Sequence, residues 1–119
     1  MEDIKGSILV VDDDPSLVEV VTKCLTDDGY FAVGATDGEE AINILHMASF
    51  DLILLDIQMA QVSGEQVVQV LKKQSVSTPV VIMTGRSRAR EYAEKLAVAG
   101  YLEKPFGLDE LFATVEAHL

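Results

Sequence analysis

Short apolar runs alternate with stripes of helical period along the whole chain. Ile8-Leu9-Val10-Val11 is the first run. Leu17, Val20, Val21, Cys24 and Leu25 follow at helical spacing, and Gly29 supplies a stop. Tyr30 to Ala35 predicts a second, weaker strand. Thr36-Asp37-Gly38-Glu39 has capping-box spacing, and Ala41, Ile44, Leu45 and Ala48 form the stripe behind it. Leu52 to Leu55 predicts a third strand ending in Asp56. After a loop with Ser63-Gly64, the residues Val67, Val68, Val70 and Leu71 mark a third helix. Pro79 to Met83 predicts a fourth strand ending in Thr84-Gly85, and Ala89, Ala93, Leu96 and Ala97 a fourth helix. Tyr101-Leu102 is a short fifth strand running out at Lys104-Pro105. Leu108, Leu111, Phe112, Val115 and Leu119 give the last helix.

Strands alternating with helices in this way predict an α/β domain whose parallel sheet is covered on both faces. Runs 8–11, 52–55 and 80–83 are apolar without alternation, as strands buried on both sides should be. No linker, repeat or low-complexity stretch interrupts the pattern, and 119 residues suit a single domain spanning 1–119.

Composition narrows the function. A hydrophobic content of 49% excludes wholesale disorder. Nine Lys plus Arg against 20 Asp plus Glu give a formal charge of -11. That excess argues against direct nucleic-acid binding and suits cations or basic partner surfaces. The single cysteine, Cys24, excludes an internal disulfide and reads as a small buried hydrophobe. Residues 1–7 carry no signal-peptide pattern, and no apolar run reaches membrane-spanning length. A cytoplasmic, non-membrane protein is expected.

The chemistry is expected just beyond the carboxyl ends of the strands, where open α/β sheets bind ligands. Strand one delivers Asp12 and Asp13, strand three Asp56, strand four Thr84 and strand five Lys104; strand two delivers nothing reactive. Asp14 before Pro15 reads as a helix N-cap followed by the first helical residue. Each of the others alone has an ordinary reading as a loop acid, a turn or a strand exit. Together they place three carboxylates, a hydroxyl and an ammonium at one sheet edge. Two carboxylates about 4 Å apart repel by roughly 4 kcal/mol at an effective dielectric near 20, so a cation is expected among them. Hard oxygen ligands of this kind favour Mg²⁺, with Mn²⁺ a substitute. The set suits phosphoryl transfer to a carboxylate, with Asp56, at the centre of the expected sheet, as the nucleophile. Lys104 would pair with the phosphoryl group, Thr84 would hydrogen-bond it, and Gly85 would leave room for its approach.

In order along the chain, Asp12-Asp13, Leu54-Leu55-Asp56-Ile57-Gln58-Met59, Thr84-Gly85 and Tyr101-Leu102-Glu103-Lys104-Pro105-Phe106 resemble the receiver domain of two-component response regulators, a CheY-like module. The resemblance covers the whole chain. It implies a flavodoxin-like (βα)5 fold with strand order 2-1-3-4-5. It implies that Asp56 accepts a phosphoryl group from a histidine kinase or histidine phosphotransfer protein. Asp13 would ligate Mg²⁺ directly, Asp12 directly or through water, and the backbone carbonyl of Gln58 would complete the protein ligands beside Asp56. Thr84 and Tyr101 match the family's switch pair. Gln58 and Arg86 match positions that flank the path of the hydrolytic water, Gln58 orienting it and Arg86 obstructing it. Output would leave through the face made by helix four, strand five and helix five, to a partner or an attached effector, as a monomer or a phosphorylation-dependent dimer.

Two departures from the family pattern stand out. Ala60 replaces a proline, implying a less constrained loop. The stretch 97–101 is a residue or two short, which bears on the length of helix four. Two rival functions remain at this point. One is a small Mg²⁺-dependent phosphohydrolase using Asp12-x-Asp14 as its acid pair, and the other is a receiver-like scaffold that only binds. His46 and His118 are read as solvent-exposed, and the group Arg86, Arg88, Arg90 as a solvated helix start.

Overall fold

Strand and helix alternate without exception: β1 (Ser7–Val11), α1 (Pro15–Asp27), β2 (Phe31–Ala35), α2 (Gly38–Met47), β3 (Leu52–Asp56), α3 (Gly64–Lys73), β4 (Val80–Thr84), α4 (Ala89–Leu96), β5 (Gly100–Glu103) and α5 (Leu108–Ala117). The computed structural model describes residues 3–59, 62–85 and 89–119, so Ala60, Arg86 and Arg88 lie outside the described residues. All neighbouring strands are parallel, in the order β2-β1-β3-β4-β5. This is the flavodoxin-like arrangement that the family resemblance implies.

The strands are apolar on both faces because both faces are covered. Leu9, Val11, Ile53, Leu55 and Ile82 point to the layer of α2, α3 and α4. Ile8, Val10, Leu52, Leu54, Val81 and Met83 point to the layer of α1 and α5. Every residue from Ile8 to Val11 and from Leu52 to Leu55 is fully buried. Each such side chain contributes roughly 1.5–3 kcal/mol of transfer free energy, so the two central strands form the rigid base of the site.

Local chemistry sets the helix ends. Asp14 caps α1, its Oδ1 accepting the backbone N–H of Ser16 at 3.0 Å, with Pro15 in the first turn. Gly29 ends that segment at φ +98, a left-handed conformation without penalty for glycine. Ser63 caps α3 in a reciprocal box with Gln66. The cap of α2 falls one residue later than its sequence spacing suggests. Asp37, not Thr36, accepts the N–H of Glu40 at 2.7 Å, and Glu40 rather than Glu39 reaches back to the Thr36 N–H. Helix α4 stops at Leu96; Ala97 is not part of its stripe but turns left-handed at φ 53. Lys72 of α3 donates to the Leu96 carbonyl and holds that end in place.

Four side chains read as core or solvent sit otherwise. Cys24 is half-buried, lining an apolar groove between α1 and the start of α5 with Leu17, Val20, Phe106 and Leu108. Leu108 and Leu119 are about half exposed, so only the inner part of the α5 stripe is core. His118 is half-buried; its ring nitrogens face the carbonyls of Thr114 at 2.8 Å and Ala99 at 3.3 Å, tying α5 to the start of β5. His46 is exposed, beside Gln74. Among the described residues, no helix is long and apolar enough to cross a membrane.

Candidate functional site

β1 and β3 are adjacent, and the chain leaves them in opposite directions to reach β2 and β4. The residues just beyond these two strands therefore meet at the switch point of the sheet. The backbone of Asp12 extends the β1–β2 ladder, its N–H donating to Ala35 O at 3.1 Å. Asp56 is the last residue of β3 and pairs with Met83 of β4. Asp12 is fully buried, Asp56 is 3% exposed and Asp13 is exposed.

Asp12, Asp13 and Asp56 each offer a carboxylate oxygen within 4.8 Å of the others. Lys104, delivered by the end of β5, reaches into this group. Its Nζ lies 2.5 Å from Asp12 Oδ2 and 3.7 Å from Asp56 Oδ2. The remaining acceptor sites are partly met by backbone. The Asp14 N–H donates to Asp12 Oδ1 at 3.0 Å, and the Gln58 N–H donates to Asp56 Oδ1 at 3.0 Å. Among the described residues no buried side-chain nitrogen or oxygen lacks a partner.

The electrostatics follow from this packing. Burial raises the Asp56 carboxyl above its ordinary value; the Gln58 N–H lowers it, Asp12 raises it, Lys104 lowers it and Asp13 raises it again. Burial works against the Lys104 ammonium, but its hydrogen bond to Asp12 and the charges of Asp56, Asp12 and Asp13 outweigh that, so Lys104 holds its proton above the ordinary value. Among the described residues, three carboxylates thus face one ammonium. A divalent cation would close that balance, and the 4.8 Å spread is close to the roughly 4.2 Å between opposite ligands of Mg²⁺. The donor set, all hard oxygen, fits the ion.

Thr84, the last residue of β4, is fully buried. Its carbonyl accepts the Lys104 N–H at 2.8 Å, and its hydroxyl donates to Gln58 Oε1 at 3.4 Å. A Cβ added to Gly85 would meet nothing within 4 Å, so packing among the described residues does not require glycine there. Gly64 is different: a Cβ there would strike the Asp56 carbonyl and come within 2.5 Å of Ile57 Cα. The first turn of α3 therefore rests directly on the backbone of the central carboxylate, a contact that nothing in the apolar pattern signals.

The structure thus brings Asp12, Asp13, Asp56, Gln58, Thr84 and Lys104 together. Tyr101 stands apart. It pairs with Ile82, is 40% exposed, and borders a shallow depression shared with Arg90, Ala93 and Glu94 of α4. Arg86 lies outside the described residues. Asp14 is committed to capping α1, which removes it as half of an Asp12-x-Asp14 catalytic pair.

A doubly wound parallel sheet carrying a carboxylate cluster, a lysine and a hydroxyl at its switch point defines a class of flavodoxin-like α/β domains with an acidic site at the sheet edge. The comparisons identify the family. The sequence profile described as "Response regulator receiver domain" matches residues 8–116, and the chain belongs to that family. It is 34% identical over 112 residues to the transcriptional regulatory protein TcrA of Mycobacterium tuberculosis, covering 92% of this chain and 44% of that protein. The chemotaxis protein CheY4 of Vibrio cholerae superposes with a TM-score of 0.88 at 30% identity, covering 96% of this chain and 98% of that one. The response regulator TrrA of Thermotoga maritima, solved in complex with Mg(2+)-BeF, superposes with a TM-score of 0.85 at 34% identity, covering 95% and 98%. The chain spans about half the length, 44–49%, of the curated relatives it matches. It is a receiver domain of response regulators, consistent with two-component signalling and not with a classical enzyme.

Proposed function

We propose that this domain is a phosphorylation-dependent switch with Asp56 as the phosphoacceptor. The observation that carries this reading is the charge balance at the switch point: three carboxylate groups within 4.8 Å of one another, opposed by one lysine. Asp12, Asp13, Asp56 and the Gln58 carbonyl would hold Mg²⁺, or Mn²⁺ in its place. When bound, the ion neutralises charge on the incoming phosphoryl group and on the acceptor.

An Asp56 carboxylate oxygen attacks the phosphorus of a phosphohistidine on a histidine kinase or phosphotransfer protein. The P–N bond breaks as the P–O bond forms, leaving an acyl phosphate on Asp56 and a free imidazole on the donor. Lys104 exchanges part of its pairing with Asp12 for a phosphoryl oxygen. The Thr84 hydroxyl donates to another, beside Gly85. Tyr101 then turns inward from its exposed position, and the face of α4, β5 and α5 changes for an output partner or an attached effector. Resetting occurs when water attacks the acyl phosphate and returns the carboxylate and inorganic phosphate, with Gln58 orienting that water and Arg86 obstructing it. The relatives' names as transcriptional regulators support nucleic-acid contact through an attached effector rather than through this acidic domain. A cytoplasmic location, no membrane contact, and a monomer or phosphorylation-dependent dimer complete the proposal.

The test is the intact-protein mass after incubation with Mg²⁺ and acetyl phosphate, repeated with a histidine-kinase donor. One labile phosphoryl group on the wild type and none on Asp56→Asn is expected. No adduct from either donor overturns the phosphoacceptor reading in favour of a binding-only scaffold. Survival of the adduct in Asp56→Asn moves the nucleophile elsewhere. For resetting, Arg86→Ala should lose its phosphoryl group faster than wild type; an unchanged rate removes Arg86 from the scheme.

A further inference from the structure

The Gln58 side chain is placed to do something that neither metal binding nor hydrolysis requires. Its backbone N–H holds Asp56 Oδ1 at 3.0 Å, while its side-chain Oε1 accepts the Thr84 hydroxyl at 3.4 Å. One exposed residue therefore touches both the acceptor carboxylate and the switch hydroxyl. Thr84 itself has little freedom. Its backbone is locked into the β4–β5 ladder by pairing with Glu103 and by the Lys104 N–H at 2.8 Å, and its side chain is fully buried. A β-branched side chain on a fixed backbone reorients its hydroxyl only by hopping between χ1 wells. A threonine hydroxyl carries one proton to donate. The proton given to Gln58 Oε1 is the same proton that a phosphoryl oxygen on Asp56 would have to receive.

We infer that the Gln58 side chain is a resting-state latch: it holds the Thr84 hydroxyl proton in the unphosphorylated domain, and phosphorylation must take that proton away from it. This rests on Asp56 being the acceptor and adds a positioning role for Gln58 that acts through Thr84. A neutral hydrogen bond at the long end of the range is weak, so the latch sets a threshold and not a block. The phosphoryl oxygens, being charged, offer the stronger acceptor and win once present. The latch lowers the fraction of switched molecules before phosphorylation and has little hold after it.

Beryllofluoride with Mg²⁺ serves as a non-hydrolysable phosphoryl mimic, which separates the latch from any effect of Gln58 on hydrolytic water. Its dissociation constant is measured for wild type, Gln58→Met, Thr84→Val and the double variant. Methionine keeps the length of the side chain, removes the amide and leaves the backbone donor and carbonyl in place. Gln58→Met is expected to tighten binding about threefold, and the same substitution in the Thr84→Val background to leave affinity unchanged. Equal or weaker binding by Gln58→Met overturns the latch, and so does an equal tightening without the hydroxyl. The second readout needs no ligand: the Thr84 methyl resonance of the metal-free protein. In Gln58→Met it should move toward its position in the beryllofluoride-bound wild type. If wild type binds no beryllofluoride, the phosphoacceptor reading falls, and the methyl resonance decides the contact alone: unmoved by Gln58→Met, the latch is overturned.

Discussion

Asp12 at the end of β1 and Thr84 at the end of β4 are both fully buried, yet they are held in opposite ways. Asp12 is gripped by a lysine at 2.5 Å and a backbone N–H at 3.0 Å. The Thr84 hydroxyl meets an exposed glutamine amide at 3.4 Å. The first arrangement is electrostatic and stiff, and removing a partner leaves a bare charge in the interior. The second is neutral and long, and its partner can turn to water. The difference separates what the fold needs from what a switch needs. The side that would hold a cation is preformed, while on the side that would read the phosphoryl group the hydroxyl donates to a neutral acceptor that a charged phosphoryl oxygen would outcompete.

The largest effect should come from breaking the stiff side. Lys104→Met leaves Asp12 and Asp56 buried without their cation, and metal-free stability should fall by about 3 kcal/mol. Urea unfolding measures it, and saturating Mg²⁺ should return part of the loss. The pH dependence gives a second check. Because the folded pKa of Lys104 lies above its unfolded value near 10.5, its contribution is intact below that pH and is lost as pH rises through the folded value. Wild type should therefore lose, above about 10.5, the stability that separates it from Lys104→Met. A gap that persists unchanged into strong alkali would count against the ion pair as its source.

Gly64→Ala comes next. Its Cβ meets backbone, the Asp56 carbonyl and Ile57 Cα, which cannot simply rotate away. A loss of about 2 kcal/mol is expected, together with weaker Mg²⁺ binding as the Asp56–Gln58 segment shifts. Gly34→Ala is the matched comparison, since its Cβ meets a methyl of the buried Val18 in α1, away from Asp56. It should also lose stability but keep Mg²⁺ affinity. Equal Mg²⁺ affinity in all three proteins would show that α3 does not position the carboxylates.

Asp56→Asn acts in the opposite direction. The folded pKa of Asp56 is raised, so its favourable contribution is complete below the unfolded value near 3.8 and is lost as pH rises through the folded value. At neutral pH the ionised group works against the fold, and removing it should raise the metal-free Tm by about 4 °C. The gain should vanish in acid and shrink when Mg²⁺ saturates the wild type. A destabilised Asp56→Asn would mean that Lys104 and the Gln58 N–H outweigh burial.

The stiff side was also the more legible one. Apolar runs at 8–11 and 52–55 read as strands because both their faces are buried, and Asp12 and Asp56 follow directly from where those runs end. The order of the strands was readable only through the family resemblance, because no local pattern records which strands are neighbours. Lys104 was identifiable as a site residue, but its grip on Asp12 joins positions 92 residues apart, and periodicity carries no such information. Short-range details slipped for a related reason. Thr36 and Asp37 are both good caps, and packing of Gly38 against Val62 accompanies the choice of the second. Ala97 continues the α4 stripe by composition, yet the chain turns there to start β5. His118 carries no sign in sequence that it spans α5 and β5. The Gln58–Thr84 contact was invisible as well, since an exposed glutamine has no preferred partner until the fold supplies one.

Thr84→Val should give the smallest change in stability and so tests the comparison most directly. Valine keeps the branched shape in a fully buried position. Gln58, which accepts from the Thr84 hydroxyl, is exposed and can hydrogen-bond water instead. Unfolding should shift by less than about 0.5 kcal/mol. The loss should appear in function instead: a hydroxyl donating to a charged phosphoryl oxygen is worth roughly 1.5–3 kcal/mol, so beryllofluoride binding should weaken by at least about tenfold. Small in unfolding and large in binding is the signature of a group that the resting fold hardly uses. If Thr84→Val instead lost stability on the scale of Lys104→Met, the hydroxyl would be a structural anchor, and the contrast between a stiff cation side and a loosely held switch side would fail.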